Sequence, residues 1–319
     1  MTSSPRPPFV SRADLHVHSW HSKVNGDLPF FKSRDCYSRP TDVYRTAKAR
    51  GMDIVTITDH DSIDGCLELF DRFPGASDIL MGEEVSCTFP DGNIAVHLAV
   101  YGMTEALHRE VQPLRRNVFE AIDCLRAADV FFVQNHLLHF YRGQAPLESY
   151  LRLLSLVPGV EVRNGTMMAQ HNLLIERLRE RSPGLAGVAG SDAHTLRRIG
   201  RTWTAAPGST AIEFLASLRA GLGRPGGRHG GAAVVAGDAY GVVARYCASV
   251  LGWGPRDHRG WHRAACAACI AASLPFQFLP GLVPLVGKRR ERQTVAAAAA
   301  TLEAWHVHGR AELLAEHAR

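Results

Sequence analysis

The stretch DLHVHS, residues 14–19, sets His16 and His18 two residues apart between apolar neighbours. On a β-strand, positions separated by two share a face, so both imidazoles point to one side. Outward from this pair, short β-branched or apolar runs recur with amphipathic segments between them. That alternation marks α/β proteins with a largely parallel sheet. Seven candidate strands are centred on Leu15 and Val17 and on residues 54–58, 79–83, 94–100, 130–134, 160–162 and 187–190. Residues 41–50, 105–127, 147–156, 170–181 and 210–220 carry apolar side chains at three-to-four spacing and read as helices. Seven strands with interleaved helices predict a distorted seven-stranded β/α barrel. Between the third and fourth strands only FPDGN (89–93) and a few flanking residues intervene. Pro-Asp-Gly makes a turn and leaves no room for a helix, so a local antiparallel pair is expected there.

Ligand-type residues stand at the end of almost every candidate strand. Asp59, His60 and Asp61 end the second, Glu83 and Glu84 the third, Asn135 and His136 the fifth, Arg163 and Asn164 the sixth, Asp192 and His194 the seventh. His97 begins the fourth, which an antiparallel turn returns to the same end. Active sites of β/α barrels are built at the C-terminal ends of the strands, so these groups converge on one mouth. Taken alone, His97 on an apolar strand reads as a packed histidine. As a set, five or six imidazoles and two or three carboxylates exceed what one four-coordinate ion can use, and a cluster of two or three ions is expected. The mixed nitrogen and oxygen donors suit zinc, manganese or iron better than magnesium or calcium.

In this order, DLHVHS, TDHDS (58–62), GEEVS (82–86), VHLAVYG (96–102), the Asn-His pair at 135–136 and GSDAHT (190–195) resemble the PHP family, the polymerase and histidinol phosphatase superfamily. The resemblance covers about residues 12–225 and implies a metal-dependent phosphoesterase on a distorted seven-stranded barrel with a trinuclear site. Carried over by position, it implies that His16, His18, Glu84 and Asp192 hold one ion, with Glu84 bridging. His97 and His136 join Glu84 on a second, and His60 and His194 hold a third. Glu84 aligns with the family glutamate, and Glu83 stands where an apolar residue is usual. Many members have an aspartate or histidine five or six residues past the second histidine of the HxH. Lys23 stands there instead, so His21 or Asp27 substitutes, or the third ion is weak or absent, or Lys23 itself contacts the substrate phosphate. Arg163 is the other candidate phosphate contact, against the alternative of a surface ion pair.

The implied reaction is hydrolysis of a phosphate ester by a metal-activated water, with no side-chain nucleophile. A small phosphomonoester or nucleotide is the favoured substrate and a nucleic-acid end the alternative, because Tyr37, Arg39, Tyr44 and Arg45 are the only local basic and aromatic mixture. A non-catalytic, metal-stabilised module is the rival from another class, and such modules usually lose ligands.

Of the net charge of +5, +4 lies beyond residue 229, away from the expected barrel mouth, so it does not argue for an anionic substrate. The N-terminus lacks the apolar core of an export signal, and the seven cysteines follow no disulfide framework, so a cytoplasmic protein with reduced thiols is expected. Residues 221–231, GLGRPGGRHGG, read as a linker that closes a barrel domain at 225. An all-helical appendage over 226–319 would follow. Its uncharged run 264–287 has the length of a membrane segment, yet Pro275, Pro280 and Pro284 interrupt it. A helix ending near Ser273, then an apolar loop, within a bundle docked on the barrel is the preferred reading over membrane association.

Overall fold

The computed structural model describes residues 10–22, 33–90, 94–139, 147–253, 257–276 and 278–317. In chain order it forms β1 (Val10–Ala13), α1 (Pro40–Ala49), β2 (Val55–Ile57), α2 (Asp64–Arg72), β3 (Ile79–Thr88), β4 (Ala95–Tyr101), α3 (Glu105–Val111), α4 (Val118–Ala127) and β5 (Phe131–Gln134). There follow α5 (Leu147–Leu156), β6 (Gly159–Asn164), α6 (Ala169–Glu180), β7 (Ala186–Gly190), β8 (Thr202–Pro207), α7 (Ala211–Arg219) and β9 (Arg224–Gly227). Three helices end the chain, α8 (Ala232–Leu251), α9 (Gly260–Ser273) and α10 (Leu279–His317).

Strands β2 to β7 form one curled six-stranded sheet in sequence order. Its pairings are parallel except around β4, which runs antiparallel to β3 and β5 as the short connection requires. The expected first strand is displaced. β1 pairs instead with β8 in a separate three-stranded sheet, β1-β8-β9. The residues just after β1 nevertheless lie between the two edges of the six-stranded sheet. On one side Thr58 N donates to the Val17 carbonyl and Ile54 N to that of Arg12. On the other, His18 N donates to the Ala193 carbonyl and Ala193 N to that of His16.

Inside this ring the lower layer is apolar: Leu15, Ile54, Leu80, Ala99, Phe131, Val133 and Val188 are all buried together. Tyr101 spans it, its hydroxyl donating to the Leu15 carbonyl at 2.8 Å. Each of its Val, Leu, Ile and Phe side chains contributes about 1.5–3 kcal/mol by leaving water, so the layer anchors the HxH segment from below.

Three expectations are corrected. The helix expected over 105–127 is two helices joined by a 3-10 turn, because Pro113 lacks an N–H and Asn117 restarts the helix by accepting from Phe119 N. The glycine-rich stretch read as a linker contains β9. Its glycines allow close approach, since a Cβ on Gly226 would stand 2.4 Å from the Trp203 ring and one on Gly227, at φ +93°, 2.3 Å from the Arg201 carbonyl. Third, 279–287 is not a loop, because α10 starts at Leu279 and passes through Pro284. Pro280 falls in the first turn, where no intrahelical N–H bond is lost, and Pro284 removes only one. Among the described residues one helix, α8, is long and apolar enough to cross a membrane, with 11% of its apolar window buried, and there are two such spans if the bent pair Gly260–Phe276 and Leu279–Ala299 counts as one.

Gly190 ends β7 where the HxH segment passes, and a Cβ there would lie 2.3 Å from the His16 Cβ and 2.4 Å from its backbone nitrogen. Gly190→Ala should therefore destabilise the protein by at least about 1–3 kcal/mol through overpacking, read as a fall in the urea midpoint. An unchanged midpoint would show that the segment can shift without cost.

Candidate metal centre

Glu84 sits at the middle of the mouth, fully buried. One carboxylate oxygen lies 3.1 Å from His97 Nδ1 and 3.2 Å from His136 Nε2. The other lies 3.2 Å from His16 Nε2, 3.4 Å from His18 Nε2 and 3.1 Å from His60 Nδ1. Asp192 Oδ1 faces the same space, 3.6 Å from His16 Nε2 and 3.5 Å from His18 Nε2. His194 and Asp35 complete the rim, with His194 Nε2 2.9 Å from Asp35 Oδ2.

These side chains form four overlapping groups whose ligand atoms lie within 4.8 Å of one another: His16, His18 and Glu84; His16, His136 and Asp192; His60, Glu84 and His97; and His18, Asp35, His60 and His194. Neighbours fix the rings. His16 Nδ1 is 3.0 Å from Glu161 and His18 Nδ1 3.1 Å from Ser22 Oγ. Asn164 Nδ2 and Thr166 Oγ1 both donate to Asp192 Oδ2, and Asn135 Nδ2 donates to Glu84 Oε1 at 2.8 Å. Such outer partners orient the ligands of metal sites and raise their basicity.

The donor set fits divalent cations. A carboxylate offers about four lone-pair sites, and a neutral His16 that gives its one N–H to Glu161 has none for Glu84, so five rings cannot all satisfy Glu84 unless protons or cations intervene. His18 Nε2 is buried without a hydrogen-bond partner and points at Glu84 and Asp192. Burial alone would push Glu84 and Asp192 upward, but the imidazoles, His16 foremost, hold both well below the carboxylate range. Burial would likewise discharge His16, yet Glu84, Asp192 and Glu161 hold it well above its ordinary value. His18 is pushed down by burial and the His194 ring, and His60 by burial to about 3, so both keep lone pairs available. Buried anions that must be balanced, facing neutral ring nitrogens, are the electrostatics of a cation site.

A family model described as PHP-associated matches residues 170–222, which carry Asp192 and His194. The chain is also 37% identical over 57 residues to an uncharacterized protein of Methanocaldococcus jannaschii, a match that spans 18% of this chain and 33% of that one. Among solved structures it is similar to a two-domain protein of Bacteroides vulgatus containing a predicted PHP-like metal-dependent phosphoesterase, at 16% identity over 75% of this chain and 71% of that one, TM-score 0.48. It is also similar to the lesion-specific endonuclease EndoQ of Pyrococcus furiosus, at 16% identity over 66% and 56% of the two chains, TM-score 0.44.

All eight side chains read from the PHP motifs as ligands, His16, His18, His60, Glu84, His97, His136, Asp192 and His194, meet in this cluster. Their grouping is shared more widely than the motif order implied, because His136 falls with His16 and Asp192, and His60 in two groups. The paired acids separate by strand alternation: Glu83 faces outward to His108 and Gln112, each 2.8 Å away.

Arg163 is not brought to the cluster. A register shift between Glu161 and Arg163 turns it outward, where its guanidinium pairs with Glu176. Lys23 and Asp27 lie outside the described residues. His21 does not stand in for a ligand, being paired with Glu68 at 2.8 Å.

Asp35, which sequence reasoning missed, occupies the open corner instead. It comes from a segment without periodicity, and no local signal marks it. Glu161 was also missed, although a charged residue between buried Val160 and Val162 is a legible sign. The strand ends are strained: His136 and Asp192 have φ of 27° and 52°, sparsely populated values that cluster at functional sites.

Asp35→Asn is expected to lower the metal content of the purified protein, measured by elemental analysis with circular dichroism as the fold control. Full stoichiometry in that variant would remove Asp35 from the centre.

Proposed function

We propose that the chain hydrolyses phosphate esters, using divalent cations held by His16, His18, His60, Glu84, His97, His136, Asp192 and His194 together with Asp35. The observation that carries this reading is the convergence of six imidazoles on Glu84 and Asp192 at one strand-end mouth. Manganese, zinc or iron suits so many imidazoles better than magnesium or calcium. Bound ions would supply Lewis-acid stabilisation of the phosphoryl oxygens and acidify the attacking water.

The remaining work belongs to the chain. Glu161, Ser22, Asn135, Asn164 and Thr166 hold the ligands in register, and the apolar layer below keeps solvent from the base of the site. In the reaction a water oxygen bonds to phosphorus, the ester P–O bond breaks, and the leaving alkoxide takes up the proton that water gives up. Several pre-placed groups around one phosphoryl position remove much of the orientational cost of that encounter.

A phosphomonoester is favoured over a nucleic-acid end. Tyr37 is buried, Tyr44 bonds to Asp78 and Arg39 lies over the Trp20 ring, so the one basic and aromatic mixture offers no stacking track. The complete ligand set argues against a non-catalytic module. We read the ring of six strands plus the HxH segment as the distorted seven-stranded barrel, with β9 part of it and the helical appendage beginning at α8.

Phosphate release from a panel of phosphomonoesters, nucleotides and oligonucleotides tests the proposal. Turnover on a phosphomonoester that falls at least 100-fold in Asp192→Ala is expected, while turnover confined to oligonucleotides would reverse the substrate ranking. Arg163→Ala should leave KM unchanged and lower stability by about 0.5 kcal/mol, as for a partly exposed ion pair.

A further inference from the structure

Beside the metal centre a cavity of about 1030 Å³ opens between the barrel mouth and helices α8 and α10. One end is polar and includes Asp35, Asp192 and His194, three members of the candidate metal groups. The two helices line it with aliphatic side chains, beside the polar Asp238 on α8 and Lys288, Arg290, Glu291 and Thr294 on α10. Val235, Ala239 and Val242 form one face of α8 at helical spacing, and Leu282, Val283 and Val286 form the facing side of α10. No Phe, Tyr or Trp is among the described lining residues.

The helices are fixed to the mouth by polar contacts, which makes the cleft a built feature. Lys288 Nζ donates to the Thr166 carbonyl, and Glu291 accepts from Met168 N, both at 2.7 Å. On α8, Asp238 accepts from Thr195 Oγ1 at 2.7 Å and Arg198 Nη1 at 2.8 Å. Arg290 lies at the rim with no ion pair among the described residues.

Resting on the phosphoester reading above, we propose that this cleft receives the hydrocarbon chain of an amphiphilic substrate, a phosphate ester of a long-chain alcohol or acylglycerol. Its phosphate would sit at the metal end near the Arg290 rim and its alkyl chain along the aliphatic walls. Pockets of about 300–1,000 Å³ enclose whole drug-sized ligands, so this cavity has far more room than a phosphate needs. A nucleoside would find no Phe, Tyr or Trp to stack on among the described lining residues, only the His139, His171 and His194 rings. A sugar phosphate would leave apolar walls wet. Val283 and Val286 are 69% and 54% exposed, surface that an alkyl chain would cover.

Calorimetry with alkylphosphonates, on the full chain with the metal it carries when purified, tests the cleft without turnover. Each buried methylene tightens binding about three- to fourfold. Dodecylphosphonate below its aggregation concentration should bind one equivalent per chain at least 100-fold tighter than ethylphosphonate. Val283→Asp, at an exposed position that tolerates the change, and Val242→Asp should each reduce that ratio at least tenfold. Ile212→Asp, 82% exposed on α7 and outside the cavity, should not change it. Equal affinities for the two phosphonates, several equivalents bound, or a ratio indifferent to both wall variants would overturn the proposal. Failure to release phosphate from any ester would sink the phosphoester reading instead, whatever the calorimetry gives.

Discussion

Glu84 has no contact with solvent, and an isolated carboxylate there would cost several kcal/mol. It is tolerated because five ring nitrogens from four separate places on the chain close on its two oxygens. His16 and His18 come from the segment after β1, His60 from the end of β2, His97 from β4 and His136 from the end of β5. The carboxylate therefore acts as the point at which the strand ends are tied together. Moving any one of those strands by an ångström would leave a buried charge short of a partner, which links the geometry of the ring to the electrostatics of its mouth.

That arrangement depends on how the HxH segment enters the ring. It is held by backbone bonds to β2 on one side and to the loop after β7 on the other, and two buried acids clamp it. Asp14 accepts from Ser191 N at 2.7 Å and Gly200 N at 2.6 Å, and burial pushes its carboxyl up to about 6. Asp59 accepts from Ser19 N and Oγ, at 2.5 and 2.6 Å, and burial raises it to about 7. The motif aspartates at 14 and 59 thus position histidines. They bind the segment to its neighbours where regular strand pairing has lapsed.

The segment from α8 to α10 contributes a wall to the cavity beside the cluster. Its polar contacts fall on the Thr166 to His171 turn and on the Thr195 to Arg198 turn, both next to Asp192. Burial would raise Glu291, but His171 and Lys288 hold it at about 2, so this dock stays charged at any physiological pH. The result is a charged seam beside a cleft whose lining includes the candidate ligands Asp35, Asp192 and His194.

The candidate ligand residues were legible in the sequence because most lie at or just beyond a strand end, with Glu84 and His97 inside β3 and β4, and strand alternation says which face each takes. His16 and His18 share a face by their spacing of two, and Glu83 and Glu84 oppose each other for the same reason. What the local pattern does not carry is anything set by a partner distant in sequence. Asp35 reaches the cluster from an aperiodic segment, and Arg163 leaves it because a single register shift on β6 reverses its side. The stretch 221–231 reads as flexible from composition, yet its glycines are there to let β9 lie against Trp203 and Arg201. Prolines that suggest a break at 280 and 284 are absorbed at the start of α10. Local sequence determined which groups can bind a cation, since that is a property of residue type and strand phase. Only the tertiary structure decided which of them meet and what wall encloses them, since both depend on contacts between separate segments, from His97 with Glu84 to Asp35 with His194 and Thr166 with Lys288.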